Sequence, residues 1–204
     1  MVLAGVAISE DKLDKLKELG IKDSKLLSPK RRFELYDKII KLADSYMIIE
    51  VSPKEIDQCN ADGTNLNQLE AIKIAEIINQ LQSDEIYVDS PEPADGGKKF
   101  EYIIKPHLTS SVTTKIYAGN KYDSKYVICA AASILAKVTR DNAVRCITKE
   151  IGHDVGSGYP ADPKCKEFLQ NHYSDANHLQ HIRTCWATYK NLMKRKKQAN
   201  LADW

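Results

Sequence analysis

Apolar and polar positions along this chain follow two periods, and the switch between them sets out a series of strands and helices. Met1 to Ile8 is almost wholly apolar, with Val2, Val6 and Ile8 among its residues, and predicts a buried β-strand ending at the turn-forming Ser9. A buried strand needs neighbours on both sides, and no residue of this sequence stands before this one to supply them. Asp11 to Leu19 carries a short amphipathic helical pattern that stops at Gly20, and Ser28-Pro29, an N-cap followed by proline, opens a second helix running to about Ala43. A strand at Tyr46 to Val51, a proline-started turn or short helix near Ile56, and a helix at Asn67 to Leu81 with Leu69, Ile72, Ile74, Ala75, Ile77 and Ile78 apolar come next. Glu85 to Val88 predicts a brief strand ending at Asp89. A helix at Lys98 to His107, a strand at Thr113 to Tyr117 and a long helix rich in small residues from Ser124 to Glu150 complete the regular part. This alternation predicts an α/β fold. The last third reads as helical, broken by the loop GSGYPADP and ending in a basic tail.

Composition narrows the class. With 43% hydrophobic residues in 204, the chain can bury a full core in one large domain with a small appendage. The longest apolar stretch, Val127 to Leu135, is interrupted by Ser133 and is far shorter than the ~20 residues that span a bilayer. The opening strand lacks a basic flank and a cleavage site, and Glu10 and Asp11 follow it at once, so a cytoplasmic protein without membrane contact is expected. Five cysteines without a CxxC pair are expected to be reduced core thiols. A net charge of +2 leaves a polyanionic partner to local clusters, such as Lys22, Lys25, Lys30, Arg31 and Arg32, or Lys194 to Lys197.

Several residues could carry chemistry. Asp89 ends the strand EIYVDS, at the sheet edge where ligands collect in open α/β folds, although aspartate also simply starts loops such as SPEPADGG. Asp123, in NKYDSKY, follows a strand and could bring a second carboxylate to the same edge, or it could cap the long helix. Together the two would form part of a Mg²⁺ site, since that ion takes one or two carboxylates and keeps waters for a substrate phosphate. In CAAASILAKVTRD, Ser133, Lys137 and Arg140 share a polar stripe that could contact substrate or face solvent. GSGYPADP presents Tyr159, which could stack on a sugar or base, or could fill a tight turn. His172, His178 and His181 with Cys165 and Cys185 match no common zinc spacing.

Taken together, KDSK (Lys22 to Lys25), YVDS (Tyr87 to Ser90), NKYD (Asn120 to Asp123), AASILAKVTRD (Ala131 to Asp141) and GSGYPADP (Gly156 to Pro163) resemble ribonuclease HII of the archaeal type, in order and spacing over nearly the whole chain. The resemblance implies an RNase H-like mixed sheet flanked by helices with a helical C-terminal region: a catalytic domain over 1–150, a helical region over 151–193 and a basic tail over 194–204. It also implies a monomeric endonuclease that hydrolyses the RNA strand of RNA/DNA hybrids, and cuts 5′ of single ribonucleotides in duplex DNA, with Mg²⁺ or Mn²⁺. Four carboxylates surround the two metals in that family. Two carry over to Asp89 and Asp123, and Lys25, Ser133, Lys137 and Tyr159 fall where substrate is held.

The other two carboxylates belong to a DEAGRGP segment that precedes a strand like MVLAGVAI and has no counterpart here. The sequence is therefore expected to begin inside the family's first β-hairpin, with an incomplete metal site and impaired activity; Glu10 and Asp11 lie at the wrong end of the strand to substitute. Where the family often reads AEHKAD, this chain has AGNKYD, which alters Gly119, Asn120 and Tyr122 but keeps Lys121 and Asp123. At the C-terminus, Gln198, Leu201 and Trp204 have the spacing of sliding-clamp-binding peptides, found on some archaeal members, or form part of a solvated basic tail. The competing readings are a non-catalytic protein that binds RNA/DNA hybrids or a sliding clamp, and an RNase H-like nuclease acting on DNA junctions.

Overall fold

Serine–proline pairs fix two of the helix starts that the pattern predicts. Ser28 accepts a hydrogen bond from the Arg31 amide at 3.2 Å and Ser52 one from the Glu55 amide at 3.1 Å, with Pro29 and Pro53 next in line. The structure, a computed structural model, describes residues 1–21, 27–93 and 96–202. Lys25, with the rest of the KDSK motif, and Trp204 lie outside the described residues, and of Leu201 only the backbone is described. In chain order the elements are β1 (Val2–Ala7), α1 (Leu13–Glu18), α2 (Pro29–Leu42), β2 (Ser45–Glu50), α3 (Pro53–Ala61), α4 (Leu66–Leu81), β3 (Ile86–Asp89), α5 (Gly97–Ile104), β4 (Ile116–Gly119), α6 (Tyr122–Lys125), α7 (Val127–Ile151), α8 (Pro163–His172), α9 (Ala176–Leu179) and α10 (Ala187–Ala202). None of the described helices is long and apolar enough to cross a membrane.

The contacts divide the chain into two units. One comprises Val2–Glu50 and Asn67–Thr139. In it β1 pairs antiparallel with β2, from Val2↔Glu50 to Ala7↔Ser45, and β3 pairs parallel with β4, from Ile86↔Ile116 to Asp89↔Gly119. β1 is half-buried at every position rather than fully buried as its composition predicts, because β2 is its one hydrogen-bonded neighbour among the described residues. Two apolar clusters support the strands. Leu16, Leu35, Ile39, Ile134 and Leu135 form one, and Ala71, Ala75, Val88, Phe100, Ile104 and Ile116 the other. β3 alternates accordingly, with Ile86 and Val88 inward and Tyr87 on the opposite face.

The second unit contains Met1, Val51–Leu66 and the chain from Arg140 onward. Its core is Val155, Cys165, Phe168, Leu169 and Ile182. Asp57 of α3 fastens the segment before α10, accepting from the Thr184 amide and hydroxyl, both at 2.7 Å, and from the Cys185 amide at 3.0 Å. All five cysteines are free thiols, and Cys129 and Cys165 are buried.

Candidate active site

β3 and β4 run parallel and in register, so the chain leaves both strands at the same edge. Asp89 and Gly119 are the last paired residues there, and the Ser90 amide extends the ladder to the Gly119 carbonyl at 2.9 Å. After Gly119 the backbone turns sharply: Lys121 takes the left-handed conformation with φ +59°, and α6 begins at the next residue. The turn delivers the Tyr122 amide to Asp89, whose Oδ1 accepts it at 2.9 Å. Asp123, one residue on, is 3% exposed. It sits within α6, whose N-cap is Lys121, so the helix-capping role open to it in the sequence is not the one it takes.

The two carboxylates also meet electrostatically at Cys129. Burial raises its thiol first, and the negative charges of Asp89 and Asp123 add to the rise, to about 12. The thiol stays protonated and lies 3.4 Å from the Tyr87 carbonyl as a donor. The donor set at this edge is thus two hard carboxylates beside an inert thiol, which suits an oxygen-seeking divalent cation rather than zinc. Among the described residues no group of three or more His, Cys, Asp and Glu side chains could hold a metal. Around the aspartate pair, the Asn120 side-chain amide donates to the Glu92 carbonyl at 3.0 Å, tying the loop after β3 to the turn after β4.

Ser133 and Lys137 lie one turn apart on α7, both half-buried, on a helix whose Ile134, Leu135 and Val138 enter the core. Tyr159 belongs to the second unit. There Gly156 and Gly158 adopt positive φ, and the loop they form is closed by Asp162, which accepts from the Ser157 amide at 2.8 Å and caps α8. Those hydrogen bonds, the one from Ser157 foremost, hold the Asp162 carboxyl below its usual range. Tyr159 remains 52% exposed, with the Arg140 guanidinium over its ring at 4.3 Å. Gln198 is exposed on α10.

Three contacts at these sites had no signal in the sequence. Arg140 was legible as part of a polar stripe, but not as the partner of a tyrosine nineteen positions on. Cys129 is legible as a reduced core thiol but not as a neighbour of the Tyr87 carbonyl, and nothing in AGNKYD indicates that Tyr122 covers Gly119.

Comparison with known proteins places the chain. The family model described as Ribonuclease HII matches residues 1–189. A ribonuclease HII from Thermococcus sibiricus is 42% identical over 211 residues, covering 100% of this chain and 91% of the relative. Among solved structures, the ribonuclease H2 of Pyrococcus horikoshii superposes with a TM-score of 0.80 at 34% identity, covering 96% of this chain and 98% of its own. The ribonuclease HII of Archaeoglobus fulgidus, solved in complex with PCNA, gives 0.79 at 35% identity, covering 94% and 88%.

Proposed function

The chain belongs to the ribonuclease HII family of ribonuclease H endonucleases, with the RNase H-like α/β fold of those relatives, and we propose that its catalytic centre is the sheet edge carrying Asp89 and Asp123. The observation that carries this reading is that Asp89 accepts the Tyr122 amide while the next residue, Asp123, is buried, and that the charges of both carboxylates reach the same thiol, Cys129. Asp89 and Asp123 hold divalent Mg²⁺ or Mn²⁺. Such ions, when bound, supply positive charge to the attacking and leaving oxygens of an in-line phosphodiester displacement. Lys25, Ser133 and Lys137 bind the backbone of an RNA/DNA hybrid or of duplex DNA with an embedded ribonucleotide, and Tyr159 lies against the ribose, with cleavage on its 5′ side. Residues 1–150 carry the catalytic functions, 151–193 support substrate, and 194–204 serve partner binding.

The family resemblance implies four carboxylates around two metals, and two aspartates alone make a poor cage for both ions, so low activity is expected of a site held by Asp89 and Asp123 alone. The test is cleavage of a duplex carrying one ribonucleotide, with Mg²⁺ or Mn²⁺, by this polypeptide and by one extended with an Asp-Glu-Ala-Gly-Arg-Gly hairpin. The expected result is strong cleavage by the extended form alone, abolished by Asp89→Asn or Asp123→Asn. Efficient cleavage by the 204 residues would overturn the account of the metal site.

The tail supports a second activity. A relative is solved bound to PCNA, and Gln198, the first residue of the Gln198, Leu201, Trp204 spacing, is exposed on α10. This segment docks on a sliding clamp; removing Gln198 to Trp204 is expected to abolish clamp binding and leave cleavage unchanged, whereas undiminished clamp affinity rejects the assignment.

A further inference from the structure

The turn between β4 and α6 is held by a ring packed on a bare backbone. A Cβ built on Gly119 would lie 2.2, 2.5 and 2.9 Å from three carbons of the Tyr122 ring, closer than any side chain tolerates. The ring also meets that of Tyr126 edge-on at 4.7 Å, and Tyr126 in turn packs on Tyr87 at 4.4 Å. The Lys125 ammonium lies 5.5 Å from the Tyr122 ring and 5.1 Å from that of Tyr126. Tyr87 stands two residues before Asp89 on β3, so the rings link the strand that bears one carboxylate to the turn that bears the other.

Tyr122 acts on both. Its amide orients Asp89, and its anchored ring fixes the backbone from which Asp123 extends as the next residue. Gly119 and Tyr122 are also two of the positions at which AGNKYD departs from AEHKAD. The structure makes them one change: a ring at position 122 fills the volume that a side chain at 119 would need.

We propose that Tyr122 is a positioning residue for the Asp89 and Asp123 carboxylates, acting through the seat of its ring on Gly119. The inference rests on reading those two aspartates as the cation site. Residues that orient ligands in this way alter metal affinity without touching the ion.

The experiment is a titration of the full polypeptide with Mn²⁺, free ion being counted by electron paramagnetic resonance, with thermal melting of each variant measured without metal. Tyr122→Phe, which keeps the ring, should bind as the parent does. Tyr122→Ala should bind on the order of tenfold more weakly. Gly119→Ala should weaken binding by itself but add nothing to Tyr122→Ala, since the methyl fits once the ring is gone. Should Tyr122→Ala not fold, Tyr122→Leu, which loses the edge contact with Tyr126, carries the same expectation. Parental affinity in Tyr122→Ala, additive effects of the two alanines, or a change confined to metal-free melting would each overturn the positioning role. If Asp123→Asn binds Mn²⁺ as the parent does, the cation site itself is wrong and both readings fall.

Discussion

The Arg140 guanidinium rests 4.3 Å from the centre of the Tyr159 ring, and its Nη1 donates to the Ser157 carbonyl at 2.7 Å. One cation therefore fixes the loop backbone and the ring that the loop presents. An exposed cation–π contact is worth about 0.5–1 kcal/mol, so Arg140→Ala should weaken binding to an RNA/DNA hybrid by about two- to fivefold. Arg140→Lys should recover part of the loss, because lysine keeps the charge but not the planar fork. Fluorescence anisotropy at fixed salt measures this, and unchanged affinity in Arg140→Ala would exclude a role for the pair in holding substrate.

Asp57 predicts a loss of stability rather than of binding. Burial works to raise its carboxyl, but the hydrogen bonds from Cys185 and Thr184 together outweigh it and hold the group below 3.8. Because the folded state lowers this value, the stabilisation is present above 3.8 and fades as pH falls through the lower folded value. Asp57→Ala leaves the Thr184 and Cys185 amides without their acceptor and should cost about 2–3 kcal/mol in urea unfolding at neutral pH, with a smaller difference in strong acid.

His172 predicts a slope of the same sign in a higher window. Its ring lies 4.1 Å from that of His153 and 5.2 Å from that of His178. Burial lowers its pKa first, and the charges of His153 and His178 add to the effect, against an opposing pull from Asp175. Asp154, Glu167 and Lys164 line a cavity together with His153 and His172. The folded state takes up this proton less readily than the unfolded chain, so stability should fall as pH drops below 6.5. Melting curves of the parent and of His172→Gln between neutral and mildly acidic pH should differ in slope, the variant being flatter; parallel curves would remove His172 as the cause.

Cysteine labelling separates the thiols. Cys129, pushed up to about 12 and 7% exposed, should resist iodoacetamide at mildly alkaline pH until the protein unfolds, while the exposed Cys146 reacts in the native state. Peptide mapping by mass spectrometry reads both, and early modification of Cys129 would contradict the burial of that edge.

How much of this was legible in the sequence varies by element. Helices with a local signal were read closely: α2 starts at the Ser28-Pro29 cap, and α4 spans Leu66–Leu81 against the expected Asn67 to Leu81. Three strands, Val2–Ala7, Ser45–Glu50 and Ile86–Asp89, fall within one residue of their expected limits, but the fourth does not. The run at Thr113 to Tyr117 has strand propensity, but β4 is Ile116–Gly119, because pairing with Ile86–Asp89 decides which residues join the ladder. The helix expected from Ser124 to Glu150 begins earlier and is broken. Left-handed Lys121 starts α6 at Tyr122, and extended backbone at Tyr126 separates it from α7. The expected helix at Asp11 to Leu19 likewise opens with a tight 3₁₀ turn at Glu10–Lys12 before α1.

What the sequence determined by itself was whatever depends on neighbours along the chain: helical periodicity, serine and aspartate caps, and motifs whose order marks the family. The tertiary structure decided what depends on distance in space. It brought Asp89 to the Tyr122 amide, buried Asp123 beside it, set a tyrosine ring on Gly119 and laid Arg140 over Tyr159. The reason is physical. A cap or an amphipathic stripe is settled within a few residues, whereas a carboxylate pair exists only once two strands separated by a helical crossover have closed their ladder and fixed the turns beyond it.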